Sequence, residues 1–133
     1  MKQVTAALLL KEGKILIARR PENDDLANCW EFPGGKIEEG ETPEACLIRE
    51  MKEELNIDVN IGSFFVESIF HYQQGTIQLL SYWITWHSGE LKPIVHSEVA
   101  WVDRDELINY EFAPADIPIV KRLLVTDFFN KMD

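Results

Sequence analysis

Basic residues are scarce in this 133-residue chain: 13 Lys and Arg stand against 23 Asp and Glu, a net charge of −10. A nucleic-acid partner needs a concentrated basic footprint, so neither DNA nor RNA is expected here. A free polyphosphate would be repelled as well, unless a divalent cation stood between it and the protein. Cysteine is scarce too. Cys29 and Cys46 show no metal-type spacing, and reduced, packed thiols are the expected state. No apolar run approaches the roughly 20 residues that a membrane span requires. Lys2 followed by Val4 to Leu10 imitates a signal peptide, but the run stops at Lys11-Glu12-Gly13-Lys14 with no small-residue cleavage site. The cytoplasm is therefore the expected compartment. Repeats, low-complexity tracts and linkers are also missing, which points to one domain over residues 1–133. With 46% hydrophobic residues the chain is no disordered segment, and its length suffices to bury about two-thirds of the unfolded surface.

What is present begins with strand signals. Val4–Leu10 is β-prone, Glu12-Gly13 supplies a turn, and Ile15–Ala18 resumes the strand pattern. Residues 20–29 are polar and turn-rich; Trp30-Glu31-Phe32 is a short apolar-polar-apolar piece broken by Pro33-Gly34-Gly35. A well-marked helix follows. Thr42 is a good N-cap, Pro43 suits the first position and Glu44 complements the dipole. Ala45, Ile48, Met51 and Leu55 recur at helical spacing and are expected to face a core. The helix should stop at Asn56, which tolerates the left-handed conformation. Residues 57–71 and 76–86 read as a long hairpin about Gln73-Gln74-Gly75, and 87–97 as a loop. Val99–Val102 is a short strand, and Asp103 to Glu106 opens a helical turn. The last helix begins around Asp116 to Pro118, with Ile117, Val120, Leu123 and Leu124 inward. Strands with few helices in mixed order suggest an α+β sandwich.

On the first helix Glu50, Glu53 and Glu54 stand at i, i+3 and i+4, which places three carboxylates on one face. Like charges so spaced cost a few tenths of a kcal/mol per pair on an exposed helix. Hard oxygen donors converging from a rigid helix suit Mg²⁺ or Mn²⁺, ions that also bind substrate phosphates. A solvated acidic face is the plain alternative for the triplet alone.

The flanking pattern decides between them. Gly35, five residues, Glu41, seven residues, then Arg49-Glu50-Met51-Lys52-Glu53-Glu54-Leu55-Asn56-Ile57 resembles the Nudix box, departing from it only at Asn56, where the family has Gly. The segment Ala27 to Glu38 looks like the lead into the box of MutT-type enzymes. Ile17-Ala18-Arg19-Arg20-Pro21 and Phe112 to Pro118 are similar to further MutT-type segments, so the likeness covers nearly the whole chain. It implies the Nudix fold, an α/β/α sandwich around a mixed sheet.

The resemblance also implies roles. Glu50, Glu53 and Glu54 would bind the metal, with the Gly35 carbonyl as a further ligand. Arg49 would orient the carboxylates and Glu41 would close the loop onto the helix. The family often has another carboxylate six residues before the Trp that is Trp101 here. Val95 occupies that place, and Glu98, three before, is the candidate base or ligand. Arg19, Arg20 and Lys36 could pair with phosphates. Asp116 either caps the last helix or, by resemblance, reads the nucleobase edge. Phe32, Phe70, Tyr72 and Tyr82 are pocket candidates, although strand aromatics more often serve a core. His71, His87 and His96 show no ligand spacing.

The expectation is an Mg²⁺-dependent enzyme that converts a nucleoside triphosphate to monophosphate and pyrophosphate, acting on oxidised nucleotides such as 8-oxo-dGTP. The tail Tyr110 to Pro118 resembles that of CTP or methyl-dCTP pyrophosphohydrolases as closely. A non-catalytic binding module would usually lose box carboxylates, and all are present. Oligomeric state is not legible.

Overall fold

The computed structural model describes residues 1–126. Its central sheet contains β1 (Lys2–Lys11), β2 (Lys14–Arg19), β3 (Trp30–Glu31), β4 (Ile57–Tyr72), β5 (Gly75–Gly89) and β6 (Glu98–Val102). The order is β3-β2-β1-β5-β4, with β6 on β2. β1 and β5 are parallel, from Lys2 opposite Ile77 to Leu9 opposite Ile84, and every other pair is antiparallel. A parallel neighbour requires a crossover. Here the chain makes it through α1 (Pro43–Leu55) and then the β4–β5 hairpin.

β1 explains why its apolar run is continuous rather than alternating. Ala6, Leu8 and Leu10 enter one core with Leu107, Ile119 and Leu123, while Ala7 and Leu9 enter a second core with Leu47, Met51 and Leu55. A strand buried on both faces needs no polar side. The second core lies under α1. The first lies under the 3₁₀ turns Arg104–Asn109 and Pro114–Asp116 and the helix α2 (Ile117–Leu124). The result is the expected mixed sheet between helical layers.

The ends of α1 agree with the sequence. Thr42 Oγ1 accepts from the Ala45 amide at 3.1 Å, and Asn56 stands in the left-handed region at φ 62°, donating its N–H to the Lys52 and Met51 carbonyls. The buried face differs. Cys46, Leu47, Met51 and Leu55 are buried, whereas Ala45 is exposed and Ile48 is 48% exposed. The helix is rotated from the expected stripe because Glu50 and Glu54 also turn toward the sheet side. A similar shift marks α2: Ile119, Val120 and Leu123 are buried, Ile117 is exposed and Leu124 half-buried. The hairpin strand β5 runs on to Gly89, three residues into the expected loop. Cys29 and Cys46 are free thiols. No described helix is long and apolar enough to cross a membrane.

Asn56 carries a testable consequence. Its Nδ2 also reaches the Glu90 carbonyl at 3.1 Å. Alanine cannot adopt the left-handed conformation cheaply, so Asn56→Ala should lower stability by about 1 kcal/mol, while Asn56→Gly stays near neutral. Chemical denaturation measures both, and an Asn56→Ala midpoint equal to wild type would contradict the strain argument.

Candidate active site

The segment 33–37 lies against β1 as a strand would. The Ala7 amide donates to the Pro33 carbonyl at 2.7 Å, the Thr5 amide to the Gly35 carbonyl at 2.8 Å, and the Ile37 amide to the Gln3 carbonyl at 3.0 Å. Two glycines permit this approach. A Cβ on Gly34 would stand 2.0 Å from the Thr5 carbonyl oxygen, and one on Gly35 would stand 2.3 Å from the Glu50 carboxylate carbon. The Glu50 side chain is thereby laid directly over the glycine turn.

Arg49 gathers the acidic groups around it. Its Nε donates to Glu41 Oε2 at 2.7 Å and Nη2 to Glu41 Oε1 at 2.9 Å, a bidentate pair. Nη1 donates to Glu50 Oε1 at 2.7 Å and to Glu53 Oε2 at 3.3 Å, and Nη2 also reaches the Lys36 carbonyl at 3.2 Å. The Arg49 hydrogen bonds hold the Glu41 carboxyl down at about 2, and those with Glu41, ahead of Glu50, raise the guanidinium further. Glu41 also accepts from the Glu38 amide at 3.0 Å, which closes the loop onto the helix.

Glu54 has the opposite environment. Burial first, and Glu50 second, push its carboxyl up to about 9. Its Oε1 is buried with no hydrogen-bond partner. A buried oxygen left unpaired beside a second carboxylate is costly, and a divalent cation is the partner whose chemistry removes both penalties. Among the described residues no three acidic, His or Cys side chains converge as a metal cage, since Glu50 and Glu53 lean on Arg49 instead.

Glu54, Gly34 and Gly35 line a cavity of about 800 Å³ that also contains Phe32, Tyr72 and Asp116. Asp116 is buried and accepts the Phe32 amide at 3.0 Å through Oδ2. Burial, then the Glu31 charge, raises its carboxyl well above the ordinary range. The Phe32 ring stacks on Phe112 with centroids 5.4 Å apart. The peptide before Asp116 is gripped from β4: the Ser68 hydroxyl donates to the Ala115 carbonyl at 2.8 Å, and the Ala115 amide donates to the Tyr72 hydroxyl at 3.0 Å.

A family model described as the NUDIX domain matches residues 1–123. This chain belongs to the Nudix family. The CTP pyrophosphohydrolase of Escherichia coli K12 is 35% identical to it over 124 residues, covering 93% of this chain and 92% of the relative. The 8-oxo-dGTP diphosphatase of Haemophilus influenzae is 35% identical over 123 residues, covering 92% and 90%. Among solved structures, the E. coli ORF135 protein superposes with a TM-score of 0.86 at 33% identity, covering 100% of this chain and 95% of that one. The chain is a Nudix hydrolase of the α+β Nudix fold.

Within this Nudix domain the sequence candidates separate. Glu50, Glu53, Glu54 and Arg49 are brought together, though unevenly: the Glu50 side chain is 13% exposed and that of Glu53 58%. Phe32, Arg20 and Asp116 share the cavity with Glu54. Gly35 lines the cavity as well, and three candidates, Arg19, Lys36 and Glu98, fall outside it. The Gly35 carbonyl accepts the Thr5 amide and lies 3.1 Å from the Thr5 hydroxyl. Glu98 pairs across the β2–β6 register with Arg19 at 3.0 Å, and neither lines the cavity. Lys36 is exposed outside it.

Asp116 makes no capping hydrogen bond to α2, so the capping reading gives way to its bond with Phe32. Of the other aromatics Tyr72 lines the cavity, while Tyr82 meets the exposed Phe64 edge-on and packs against the core under α1. Phe70 packs on the opposite core. Sequence reasoning passed over Glu31 and His96, both of which line the cavity. They hydrogen-bond to each other across 65 residues of chain, and no local spacing marks them.

The Glu41–Arg49 pair predicts an acid dependence. A carboxyl lowered on folding contributes stability above its unfolded value near 4.5, and that contribution is lost as pH falls toward about 2. Thermal melts of Glu41→Gln should therefore fall below wild type at pH 6 and converge with it near pH 2. A constant offset at every pH would refute this linkage.

Proposed function

We propose that this Nudix hydrolase cleaves a nucleoside triphosphate to a nucleoside monophosphate and pyrophosphate, and that it sanitises oxidised nucleotides such as 8-oxo-dGTP in the cytoplasm. The whole chain serves in this reading as one Nudix domain. The observation that supports it is the sharing of one cavity by Glu54, whose buried Oε1 has no hydrogen-bond partner and suits a cation, and Asp116, a buried group suited to a base edge. Phosphate chemistry and base recognition then fall within one ligand's length.

Glu50, Glu53 and Glu54 would hold Mg²⁺, with Mn²⁺ able to substitute, and the bound ion would neutralise phosphate charge and acidify a water for in-line attack. The chain's own groups do the rest. Arg49 keeps Glu50 and Glu53 oriented without itself entering the cavity. Glu53, the most exposed of the three, is placed to accept the proton that the attacking water sheds. Water adds to phosphorus as a bridging P–O bond breaks, and the displaced phosphate oxygen carries the electron pair away in pyrophosphate. Arg20 supplies positive charge at the cavity wall of an otherwise acidic protein. Nucleic acid and membrane have no part in this reading.

A second reading keeps the reaction and changes the base to cytosine. It is favoured by the E. coli CTP pyrophosphohydrolase, which matches 93% of this chain. In either reading Asp116 would discriminate by which base offers it an acceptor. With Oδ2 occupied by the Phe32 amide and its carboxyl pushed toward the protonated form, it presents a donor to an acceptor atom on the base.

Two experiments test the proposal. Product analysis with normal and damaged triphosphates in Mg²⁺ should give monophosphate and pyrophosphate. On the best substrate Glu53→Gln or Glu54→Gln should lower kcat by at least ~100-fold, a loss of ~3 kcal/mol, with the fold intact. Near-normal turnover in both variants would end the metal assignment. Asp116→Ala should shift the 8-oxo-dGTP to dCTP preference by about tenfold, one hydrogen bond's worth, whereas Asp116→Asn, which keeps both a donor and an acceptor, should retain it. An equal loss on all bases would remove Asp116 from recognition.

A further inference from the structure

His96 lies in the loop before β6, in the cavity wall, with its side chain only 3% exposed. Nε2 stands 2.8 Å from Glu31 Oε2, and Nδ1 is buried with no partner. A buried N–H without an acceptor costs about 1–3 kcal/mol, so the ring proton belongs on Nε2, where Glu31 receives it. The other oxygen of Glu31 accepts from Arg20 Nη1 at 2.9 Å. Arg20 is in turn fixed by the Asp25 carbonyl at 2.9 Å and by Asp24 at 3.1 Å. One carboxylate from β3 is thus clamped between a donor that follows β2 and a donor that precedes β6.

The clamp leaves Glu31 useful to a ligand. Each carboxylate oxygen has a further lone pair, and the side chain is 19% exposed and lines the cavity. A carboxylate accepts and cannot donate, so the group that complements it is an N–H donor. A nucleobase offers two kinds, a ring N–H and an exocyclic amino group, and the amino group is the donor that cytosine and guanine have and uracil and hypoxanthine lack.

We propose that His96 is a positioning residue, holding Glu31 through Nε2–H as the cavity's acceptor for amino-bearing nucleobases. The inference rests on the nucleotide reading of the cavity. It assigns a role to a histidine that makes no local motif, and it separates substrates by one chemical group. Each amino-bearing base has a deaminated twin of nearly equal size: cytosine and uracil, guanine and hypoxanthine.

The test compares dCTP with dUTP and dGTP with dITP in the full-length protein, as wild type, His96→Leu and His96→Gln. Losing the Nε2 donor should lower kcat/KM for the favoured amino-bearing member by about tenfold, chiefly through KM. The deaminated twin should be little affected. His96→Gln, whose amide N–H can reach Glu31, should restore most of the ratio at an unchanged melting temperature. Long-range proton–nitrogen NMR of wild type should find the proton on Nε2. If His96→Leu loses its cooperative unfolding transition, Glu31→Gln takes its place, because an amide in that position should cause the same selective loss. Equal loss on both twins, no rescue by His96→Gln, or a proton on Nδ1 would overturn the proposal. Wild type that favours amino-bearing nucleotides in neither binding nor turnover would overturn it as well. Wild type that binds with this preference yet releases no monophosphate or pyrophosphate would instead overturn the hydrolase reading and leave His96 its role.

Discussion

Like charges forced together away from water constrain this structure more than any other interaction. Glu50 and Glu54, one turn apart on α1, both face the sheet side, and the second has lost most of its solvent. An exposed acidic stripe would cost tenths of a kcal/mol, but a buried pair costs far more unless something positive intervenes. Arg49 intervenes on one side only. It holds Glu41, Glu50 and Glu53, and leaves Glu54 Oε1 unpartnered. A positive charge beside Glu54 Oε1 would relieve this asymmetry. Without a cation, the pair is relieved by a proton on Glu54, whose carboxyl is pushed up to about 9.

The rest of the fold can be understood as support for that helix edge. β1 is buried on both faces, so it cannot slide without exposing one core or the other. The Pro33 and Gly35 carbonyls are tied to its amides, which sets the glycine turn against the Glu50 carboxylate at a separation no Cβ would permit. On the opposite side of the sheet, Ser68 and Tyr72 hold the Ala115 peptide and so set Asp116. Two layers that share no helix thereby contribute to one cavity. Preorganisation of this kind means that little rearrangement is left for the ligand to drive.

How far the sequence reveals this depends on how local each signal is. The helix start at Thr42-Pro43, its stop at Asn56 and the spacing of Glu50, Glu53 and Glu54 are neighbours in the chain, and all were legible. The buried face of α1 was not. Periodicity admits Ala45 and Ile48 as readily as Cys46 and Leu47, and the choice is made by where Glu50 and Glu54 must point. Asp116 was ambiguous because capping and base reading call for the same short polar residue; the Phe32 amide that decides is 84 residues away. Glu98 is a candidate base or ligand by its spacing from Trp101, and only the β2–β6 register reveals that it stands opposite Arg19. His96 and Glu31 meet only after three elements have assembled.

The central claim is that the Glu50, Glu53 and Glu54 carboxylates hold a divalent ion against a polyphosphate. A crystal grown with Mn²⁺ and a non-hydrolysable nucleoside triphosphate tests it most directly, through the metal's anomalous signal. The account predicts a peak bounded by those three side chains and by phosphate oxygens, with Glu54 Oε1 among its ligands. A peak elsewhere, or glutamates still turned to Arg49 and solvent around a bound nucleotide, would contradict it.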